Sequence, residues 1–307
     1  MSPLPQLAGD LFLTDGGLET VLIFHEGHEL PAFAAFDLLK DERGTEALRS
    51  YYTPYLELAA ERGLGFVLES PTWRANPRWA AEIGYSEDEL EAFNRRAIAL
   101  MVEIREAAGS GSQIVISGCV GPHDDGYEPA EMLSAGAARD YHATQIAVFA
   151  DTPAEMVTAV TMTYADEAIG IADAAAGAEI PGAISFTVET DGRLPSGQPL
   201  GEAIEEVDRR AAVRPAYYMV NCAHPSHFEA VLEGAWTERI QGLRANASTR
   251  SHAELDQATD LDDGDPADLG ARYAGLRERL PRLNVLGGCC GTDHRHLAEI
   301  RDAWLQT

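Results

Sequence analysis

Three of the four cysteines in the chain lie in two short polar segments that each follow an apolar run. Cys289 and Cys290 are adjacent in NVLGGCCGTDH (284–294), and Cys222 lies in VNCAHP (220–225). Neighbouring Cα atoms are ~3.8 Å apart, below the usual disulfide span of roughly 4.4–6.8 Å, so a disulfide between Cys289 and Cys290 would be strained. Two adjacent thiolates that bind one metal ion, with partners from elsewhere in the chain, are an easier use of this pair.

The two cysteine segments are far apart along the chain, so whether they meet depends on the fold. Cys222 precedes Cys289 by 67 residues, whereas the paired cysteines of a zinc finger lie about two to four residues apart. The three thiols can share a metal ion only if the fold brings the ends of two distant elements together.

Eight short apolar runs recur along the chain, each bounded by turn residues. They are LFLTDGG (11–17), LGFVLES (64–70), QIVISGCVG (113–121), EMVTAVTMT (155–163), GAISFTVET (182–190), AYYMVNCA (216–223), RIQGLRANAS (239–248) and RLNVLGGCCG (282–291). Between them lie segments such as 88–108, with apolar residues at the three- and four-residue spacing of amphipathic helices. Apolar strands that alternate with such helices indicate a parallel sheet covered by helices.

Eight such units in 307 residues predict an α/β fold, a closed (β/α)₈ TIM barrel. We expect residues 1–307 to form a single barrel domain, with longer excursions at 25–39 and 248–270, after the first and seventh strands. The alternative is an open, doubly wound sheet. It is weakened because no G-x-G-x-x-G motif follows the first apolar run.

Polar residues collect where the predicted strands end, which is where barrels place their active sites. The first strand ends in Asp15-Gly16-Gly17 and the second in Glu69, while Cys222 ends the sixth and Cys289 and Cys290 end the eighth. In a barrel these ends line one mouth. Three thiolates can then converge on Zn²⁺ and leave its fourth tetrahedral position open, as catalytic zinc sites do. The glycines around the cysteine pair let the backbone turn both thiols toward one ion.

Three segments, DGGLET (15–20), VNCAHP (220–225) and GGCCGT (287–292), resemble the homocysteine S-methyltransferases, and they occur in order along nearly the whole chain. That family includes betaine-dependent and S-methylmethionine-dependent enzymes. The resemblance implies a barrel in which Cys222, Cys289 and Cys290 hold Zn²⁺ and homocysteine binds through its sulfur. Methyl transfer from a donor of the S-methylmethionine, S-adenosylmethionine or betaine type would then give methionine. The chain length leaves no room for separate folate or cobalamin domains, which favours a small donor.

The resemblance also implies how an amino-acid acceptor is held. The acidic residue of the first loop, here Asp15, would receive its ammonium group, Gly16 and Gly17 would allow close backbone approach, and Asn246 resembles a position near the substrate. Family members commonly carry a glutamate after strand four, but here that position falls near Val160 or Thr161. Glu69 is the candidate replacement.

The missing glutamate leaves two alternatives open. The same zinc barrel would act on a different thiol acceptor, or the protein would be a non-catalytic zinc-binding or redox-sensing protein whose Cys289 and Cys290 oxidise once metal is lost. The partners expected in the catalytic cases are a small-molecule thiol and a methyl donor.

Other residues near the strand ends have less specific interpretations. Cys119 is expected to be a core or mouth-lining thiol rather than a ligand, and Asn221 to support the neighbouring zinc ligand by hydrogen bonds. Trp73 is a candidate aromatic wall for a methylated cation, with plain packing as the alternative. Because three cysteines account for the metal, six histidines are expected mostly on loops and helix surfaces: His25, His28, His224, His227, His294 and His296.

The composition excludes several classes of partner. The formal net charge is −27, and Lys40 is the only lysine, so the chain should repel nucleic acid and anionic membranes. Such a surface either aids solubility or attracts a cationic substrate. The sequence has no secretory signal pattern, no run of about 20 apolar residues and too few cysteines for a disulfide scaffold. These features predict a cytoplasmic enzyme; a monomer and a homo-oligomer are equally compatible with them.

Overall fold

Eight parallel strands close into a barrel in the order in which they occur along the chain. The structure is a computed structural model and describes residues 4–306. The strands are β1 (Phe12–Leu13), β2 (Gly65–Glu69), β3 (Ile114–Val120), β4 (Met156–Met162), β5 (Gly182–Phe186), β6 (Tyr218–Asn221), β7 (Ile240–Ala245) and β8 (Val285–Gly288). Each lies inside one of the eight predicted apolar runs.

The barrel closes where β1 pairs with β8, with Phe12 opposite Val285 and Leu13 opposite Leu286. This pairing confirms the predicted TIM barrel and shows that the doubly wound alternative is wrong, because an open sheet has two edge strands, whereas here every strand pairs with a neighbour on both sides.

The strands are almost entirely buried because both of their faces are covered. One apolar cluster includes side chains from seven of the strands, such as Phe12, Val67, Met156 and Met219, and fills the barrel interior. A second, larger cluster lies between the strands and the surrounding helices and includes Leu13, Phe66 and Leu68. Adjacent residues such as Phe12 and Leu13 therefore face opposite layers, as the strand periodicity of two requires.

Helices of very different lengths surround the strands. They are α1 (Leu18–Thr20), α2 (Glu42–Ala60), α3 (Pro77–Glu82), α4 (Glu87–Ala108), α5 (Ala135–Ala150), α6 (Ala165–Gly177), α7 (Leu200–Arg210), α8 (Pro225–Phe228), α9 (His252–Asp256), α10 (Pro266–Gly275) and α11 (His294–Gln306). The longest helix, α4, begins at a capping box. The Ser86 hydroxyl accepts from the Glu89 N–H, and the Glu89 carboxylate accepts from the Ser86 N–H.

The two predicted excursions are present. After β1 the chain runs through α1, a π-helical turn (Val21–His25) and 3₁₀ segments (Pro31–Phe33 and Ala35–Lys40) before α2 begins. After β7, the short helix α9 and the loop that follows it precede α10. No helix among the described residues is long and apolar enough to cross a membrane.

Candidate active site

A cavity with an empty volume of about 660 Å³ opens at the carboxyl ends of the strands. Its walls come from the ends of seven strands, which brings together residues that are up to 275 positions apart, Asp15 and Cys290. Among the predicted site residues, Asn246 alone does not line the cavity; those that do are Asp15, Gly16, Gly17, Glu69, Cys222, Cys289 and Cys290. This is the edge of the barrel at which the fold places active sites.

The three predicted ligand thiols form one cluster in this cavity. The Sγ of Cys222 lies 2.8 Å from that of Cys289 and 3.5 Å from that of Cys290, and all three sulfurs lie within 4.8 Å of one another. Within residues 4–306 no other group of three or more histidine, cysteine or acidic side chains is arranged to hold a metal ion. Cys119 is buried and lines the cavity but is not part of the cluster.

Local backbone conformation aims the thiols at each other. Cys222 has φ +56°, the left-handed region that non-glycine residues rarely adopt. The turn after β8 closes on itself, since a side chain at Gly288 would collide with the Thr292 hydroxyl and Gly291 has φ +79°. At Gly17 a Cβ atom would come within 2.5 Å of the Cys289 carbonyl oxygen. These glycines let two strand ends approach closely.

The three sulfurs differ in acidity because they interact so closely. Hydrogen bonds from the thiols of Cys222 and Cys290, with help from the nearby Arg244 guanidinium, hold the pKa of Cys289 well below its usual range. Contact with the other two sulfurs and burial raise the pKa of Cys222. The cluster therefore favours ionisation of Cys289 over ionisation of Cys222, and a bound cation would favour the thiolate form of all three.

The donor set fits zinc. Zn²⁺ with bonds of about 2.3 Å to sulfur in a tetrahedron places two sulfurs roughly 3.8 Å apart, and the three sulfurs, which all lie within 4.8 Å of one another, reach that spacing with shifts of about 1 Å or less. Soft and borderline cations prefer thiolate ligands, whereas Mg²⁺ and Ca²⁺ prefer oxygen ligands.

A buried ion-pair network lies beside the thiols. The Arg244 Nη2 atom lies 2.9 Å from Asp15 Oδ1, and Nη1 bonds to Glu69 Oε2. Two further N–H groups of Arg244 donate to backbone carbonyls, from Nε to Gly288 at 3.0 Å and from Nη2 to Gly16 at 3.1 Å. Asp15 and Glu69 raise the pKa of Arg244 against the effect of burial, so this guanidinium is charged. Two predicted substrate carboxylates are therefore joined by an arginine.

The comparisons with known proteins agree with this geometry. A profile of the homocysteine S-methyltransferase family matches residues 12–304. The chain belongs to the homocysteine S-methyltransferase family. It is a methyltransferase enzyme of that family.

Solved structures of one bacterial family member share the fold. The metallated form of the homocysteine methyltransferase MmuM from Escherichia coli is 18% identical, with a TM-score of 0.75 and all of both chains covered. Its oxidised form is 19% identical with a TM-score of 0.77, covering 97% of this chain and 99% of that one. A comparison with curated protein sequences finds no match.

The end of β4, where the family resemblance predicts a glutamate, carries a bulge. The pairing of β4 with β5 shifts register between Ala159 and Met162, and Thr161 has φ +64°. The Thr161 N–H donates to Asn221 Oδ1 at 2.8 Å, and Asn221 Nδ2 donates to the Thr161 hydroxyl at 2.9 Å. The same Nδ2 is 3.9 Å from Cys289 Sγ. This methyltransferase therefore presents a hydroxyl and backbone, not a carboxylate, at that strand end.

Aromatic side chains close the rim of the cavity. The Tyr127 hydroxyl, from the loop between β3 and α5, lies 3.2 Å from Cys222 Sγ and 3.6 Å from Cys290 Sγ. Trp73 also lines the cavity. Arg74 lies over the rings of Trp73 and Trp79, at 4.2 Å and 3.6 Å from their centroids. Of the residues after Glu69, Ser70, Pro71 and Trp73 line the cavity, whereas Arg74 does not.

The expectation that the histidines lie mostly on loops and helix surfaces is wrong for three of them. His224, His227 and His296 are buried. His224 accepts from the Ser226 N–H as the N-cap of α8, and burial lowers its pKa to about 4. His296 bonds through Nε2 to the Asp263 carbonyl at 2.7 Å. The ring of each is hydrogen-bonded to a backbone group, that of His227 to the Thr249 carbonyl.

Sequence reasoning missed Arg244, Tyr127 and His252. Arg244 was recognisable as a single charged residue within an apolar strand, close to its carboxyl end. Tyr127 and His252 lie in the excursions after β3 and β7, where no periodicity fixes their position. Their roles depend on how those loops fold back over the mouth.

Proposed function

We propose that this methyltransferase is zinc-dependent and transfers a methyl group from a small activated donor to the thiolate of L-homocysteine, forming methionine. The observation that carries the proposal is the cluster of three thiols on the wall of the cavity, with open space on one side. Cys222, Cys289 and Cys290 would be the protein ligands, and the acceptor's sulfur would enter from the cavity.

Zinc, when bound, lowers the pKa of a coordinated thiol and so supplies the nucleophile at neutral pH. The chain's own residues supply the rest. Gly17 brings the β1 loop close to the Cys289 carbonyl and Gly16 brings it close to the Thr292 carbonyl. Asn221 supports the Cys289 sulfur from β6. The rim residues Tyr127 and Trp73 limit the access of water to the sulfur.

The charges of the network support an acceptor that carries an ammonium group. Asp15, Glu69 and Arg244 sum to −1 in a buried position, and an entering cation offsets that charge. A guanidinium has five N–H hydrogens, and four are used by Asp15, Glu69 and two carbonyls. Arg244 thus lacks the paired donors that a substrate carboxylate would need.

Glu69 is better placed than Asp15 to bind this ammonium group. Asp15 already accepts from the Tyr51 hydroxyl at 2.9 Å through Oδ2 and from the Thr14 hydroxyl at 3.0 Å through Oδ1. In Glu69 the ion pair engages Oε2, and the side chain lines the cavity. We therefore assign Glu69 the part that a glutamate after strand four takes in other members, with Asp15 and Arg244 fixing its position.

A donor with a positive charge suits the remaining wall. Sulfonium and quaternary ammonium groups bind over aromatic faces, and Trp73, which has Arg74 over one face of its ring, lines the cavity. With the donor's methyl carbon in line with the acceptor's sulfur, the new carbon–sulfur bond forms as the old bond breaks, and the electron pair leaves with the donor.

The second candidate keeps the site and changes the acceptor. The observation in its favour is the bulge at Thr161, which lacks the carboxylate of other family members. The third, a non-catalytic zinc or redox protein, is not favoured because the chain belongs to a family of enzymes.

One assay tests the proposal. Zinc-loaded protein is incubated with L-homocysteine and, separately, S-methylmethionine, S-adenosylmethionine or betaine, and methionine is measured by mass spectrometry. Methionine formed with any donor, and abolished by chelation of the metal, is the expected result. Bound zinc without methionine, and without stabilisation by L-homocysteine in thermal unfolding, would contradict it and favour another thiol.

A further inference from the structure

The backbone carbonyl of Cys222 is held by several side chains. It accepts from His252 Nε2 at 2.6 Å and from Asn246 Nδ2 at 2.9 Å, with the Thr187 hydroxyl at 3.5 Å. All three side chains are buried. Since Cys222 itself has the unfavourable left-handed backbone, these contacts fix the direction in which its thiol points.

His252 is the most constrained of these partners. Its Nδ1 atom lies 3.0 Å from Glu189 Oε1, in the segment after β5, while Nε2 faces the Cys222 carbonyl. Both partners are acceptors, so a ring nitrogen that carries a hydrogen donates to the partner it faces. The Glu189 carboxylate therefore fixes the plane of the imidazole and keeps Nε2 pointed at the backbone of the cysteine.

The face of the same ring supports a second group at the metal site. The rings of His252 and Tyr127 are stacked, with centroids 4.0 Å apart and planes 18° apart. The Tyr127 hydroxyl reaches Cys222 Sγ at 3.2 Å and Cys290 Sγ at 3.6 Å. One imidazole thus contacts the backbone of a ligand residue with its edge and positions a sulfur-bonding hydroxyl with its face.

We propose that His252, oriented by Glu189, is a positioning residue of the metal centre that holds both the Cys222 ligand and the Tyr127 hydroxyl. This inference rests on the zinc site of the proposed function but not on the identity of the acceptor or donor. Loss of the ring frees the Cys222 backbone to leave its left-handed conformation and removes the support of Tyr127. Zinc then dissociates faster, and its sulfur environment changes.

The test measures metal release and spectra rather than turnover. Zinc loss from loaded protein to an excess of chelator is followed for wild type and three variants. His252→Phe keeps the ring against Tyr127 without the hydrogen bonds, His252→Gln keeps a donor without the ring, and Glu189→Gln removes the charge that orients the ring. The same proteins loaded with Co²⁺ report the sulfur ligands through their thiolate charge-transfer absorption.

His227→Phe is the matched control. His227 is also buried, and its Nε2 bonds to a backbone carbonyl, that of Thr249, at 2.9 Å. If His252 acted only as a buried ring that packs a loop, both phenylalanine variants would behave alike.

We expect His252→Phe to release zinc about 10-fold faster or more, as loss of a partner that supports a metal ligand typically does. Zinc release should be slower from His252→Gln than from His252→Phe, only slightly faster than wild type from Glu189→Gln, and equal to wild type from His227→Phe. The Co²⁺ absorption should shift in the His252 variants alone.

Equal zinc release and unchanged spectra in the His252 variants would overturn the inference while leaving the zinc site intact. If His252→Phe does not fold, His252→Gln and Glu189→Gln decide. Wild-type protein that binds no zinc would instead overturn the proposed function, and this inference with it.

Discussion

Arg244 at β7 forms a buried ion pair with Glu69 at β2, although β8 and β1 lie between these two strands. The side chain passes over β8 because its register partner there is Gly287. On the way it bonds to the carbonyls of Gly288 and Gly16. Glu69 is therefore fixed across the mouth of the barrel, in front of the thiol cluster.

Replacement of Glu69 by glutamine should weaken the binding of the acceptor more than it slows methyl transfer. The variant keeps the shape of the side chain but removes the charge that we assign to the substrate ammonium, a hydrogen bond of the kind worth about 1.5–3 kcal/mol. We expect the KM for L-homocysteine to rise about 10-fold or more, with a smaller change in kcat. Steady-state kinetics with the best donor measures both.

Two further comparisons separate recognition from general damage. The thiol 4-mercaptobutanoate lacks the ammonium group, so its binding to zinc-loaded protein should be weaker than that of 3-aminopropane-1-thiol in wild type and nearly equal in Glu69→Gln. Asp208→Asn removes a carboxylate that pairs with Arg239 away from the cavity and should leave KM unchanged. A wild-type protein that prefers 4-mercaptobutanoate would refute the role of Glu69.

Cys289→Ser should abolish stoichiometric zinc binding and methyl transfer while the barrel stays folded. The reason is that serine lacks the thiolate that pairs with Cys222 at 2.8 Å, whereas the core does not depend on this sulfur. Metal content by mass spectrometry and circular dichroism measure the two effects. Cys119→Ser changes a buried cysteine of the same cavity outside the cluster, and it should retain zinc. Full metal content in Cys289→Ser would show that the ligand assignment is wrong.

The fold was predictable because a parallel barrel imposes its pattern on every strand. Strands covered on both faces must be apolar almost throughout, so each of the eight appears as a short apolar run. The meeting of Cys222 with Cys289 follows from that count alone, since β6 and β8 end at the same mouth. The clustering of the three thiols could therefore be predicted without any contact being known.

The rest of the site depends on geometry that no local pattern encodes. Arg244 reaches Glu69 only because Gly287 leaves its path open, and a sequence does not show which residue lies beside which across strands. Tyr127 comes from a loop and His252 from the start of the short helix α9, and their rings meet only in the folded protein. Asn246 is close to the ligands, but its amide donates to the Cys222 carbonyl and does not line the cavity.

Gly287→Ala should destabilise the protein and disturb the Arg244 network. An added Cβ atom would collide with the Thr14 side chain, come within 2.9 Å of the Asp15 carbonyl oxygen and press on the Arg244 Cγ at 3.4 Å. Overpacking of this kind costs about 1–3 kcal/mol in the free energy of unfolding. Urea unfolding measures it.

Gly136→Ala in α5 is the matched control for this substitution. Its added methyl group meets no atom within 4 Å, so the variant should be neutral or up to about 1 kcal/mol more stable, because alanine favours a helix over glycine. Equal stability of Gly287→Ala and wild type would mean that β8 moves to make room, and that the path of Arg244 is not fixed by this glycine.

Asp293, at the start of α11, should make stability depend on pH in the acid range. Burial alone would raise its pKa, but contacts with His296 and Arg295 outweigh burial and hold the pKa below the ordinary value of 3.8. The Arg295 N–H and guanidinium donate to it, the latter at 2.7 Å. Because the folded state binds this proton less tightly than the unfolded state does, the contribution of Asp293 is complete above pH 3.8 and is lost as the pH falls through the folded pKa.

Asp293→Asn isolates that contribution, since asparagine also caps a helix. We expect the variant to be less stable than wild type by about 1 kcal/mol at pH 7, a modest value because Arg295 is half exposed. The difference should be unchanged at pH 5 and shrink below pH 4, as measured by urea unfolding at each pH. Asp260→Asn, at an exposed position, should follow wild type throughout. A stability difference that is as large at pH 3 as at pH 7, or larger, would show that the Asn variant loses packing rather than charge. Only the effect of a lost charge becomes smaller when Asp293 of the wild type itself takes up a proton.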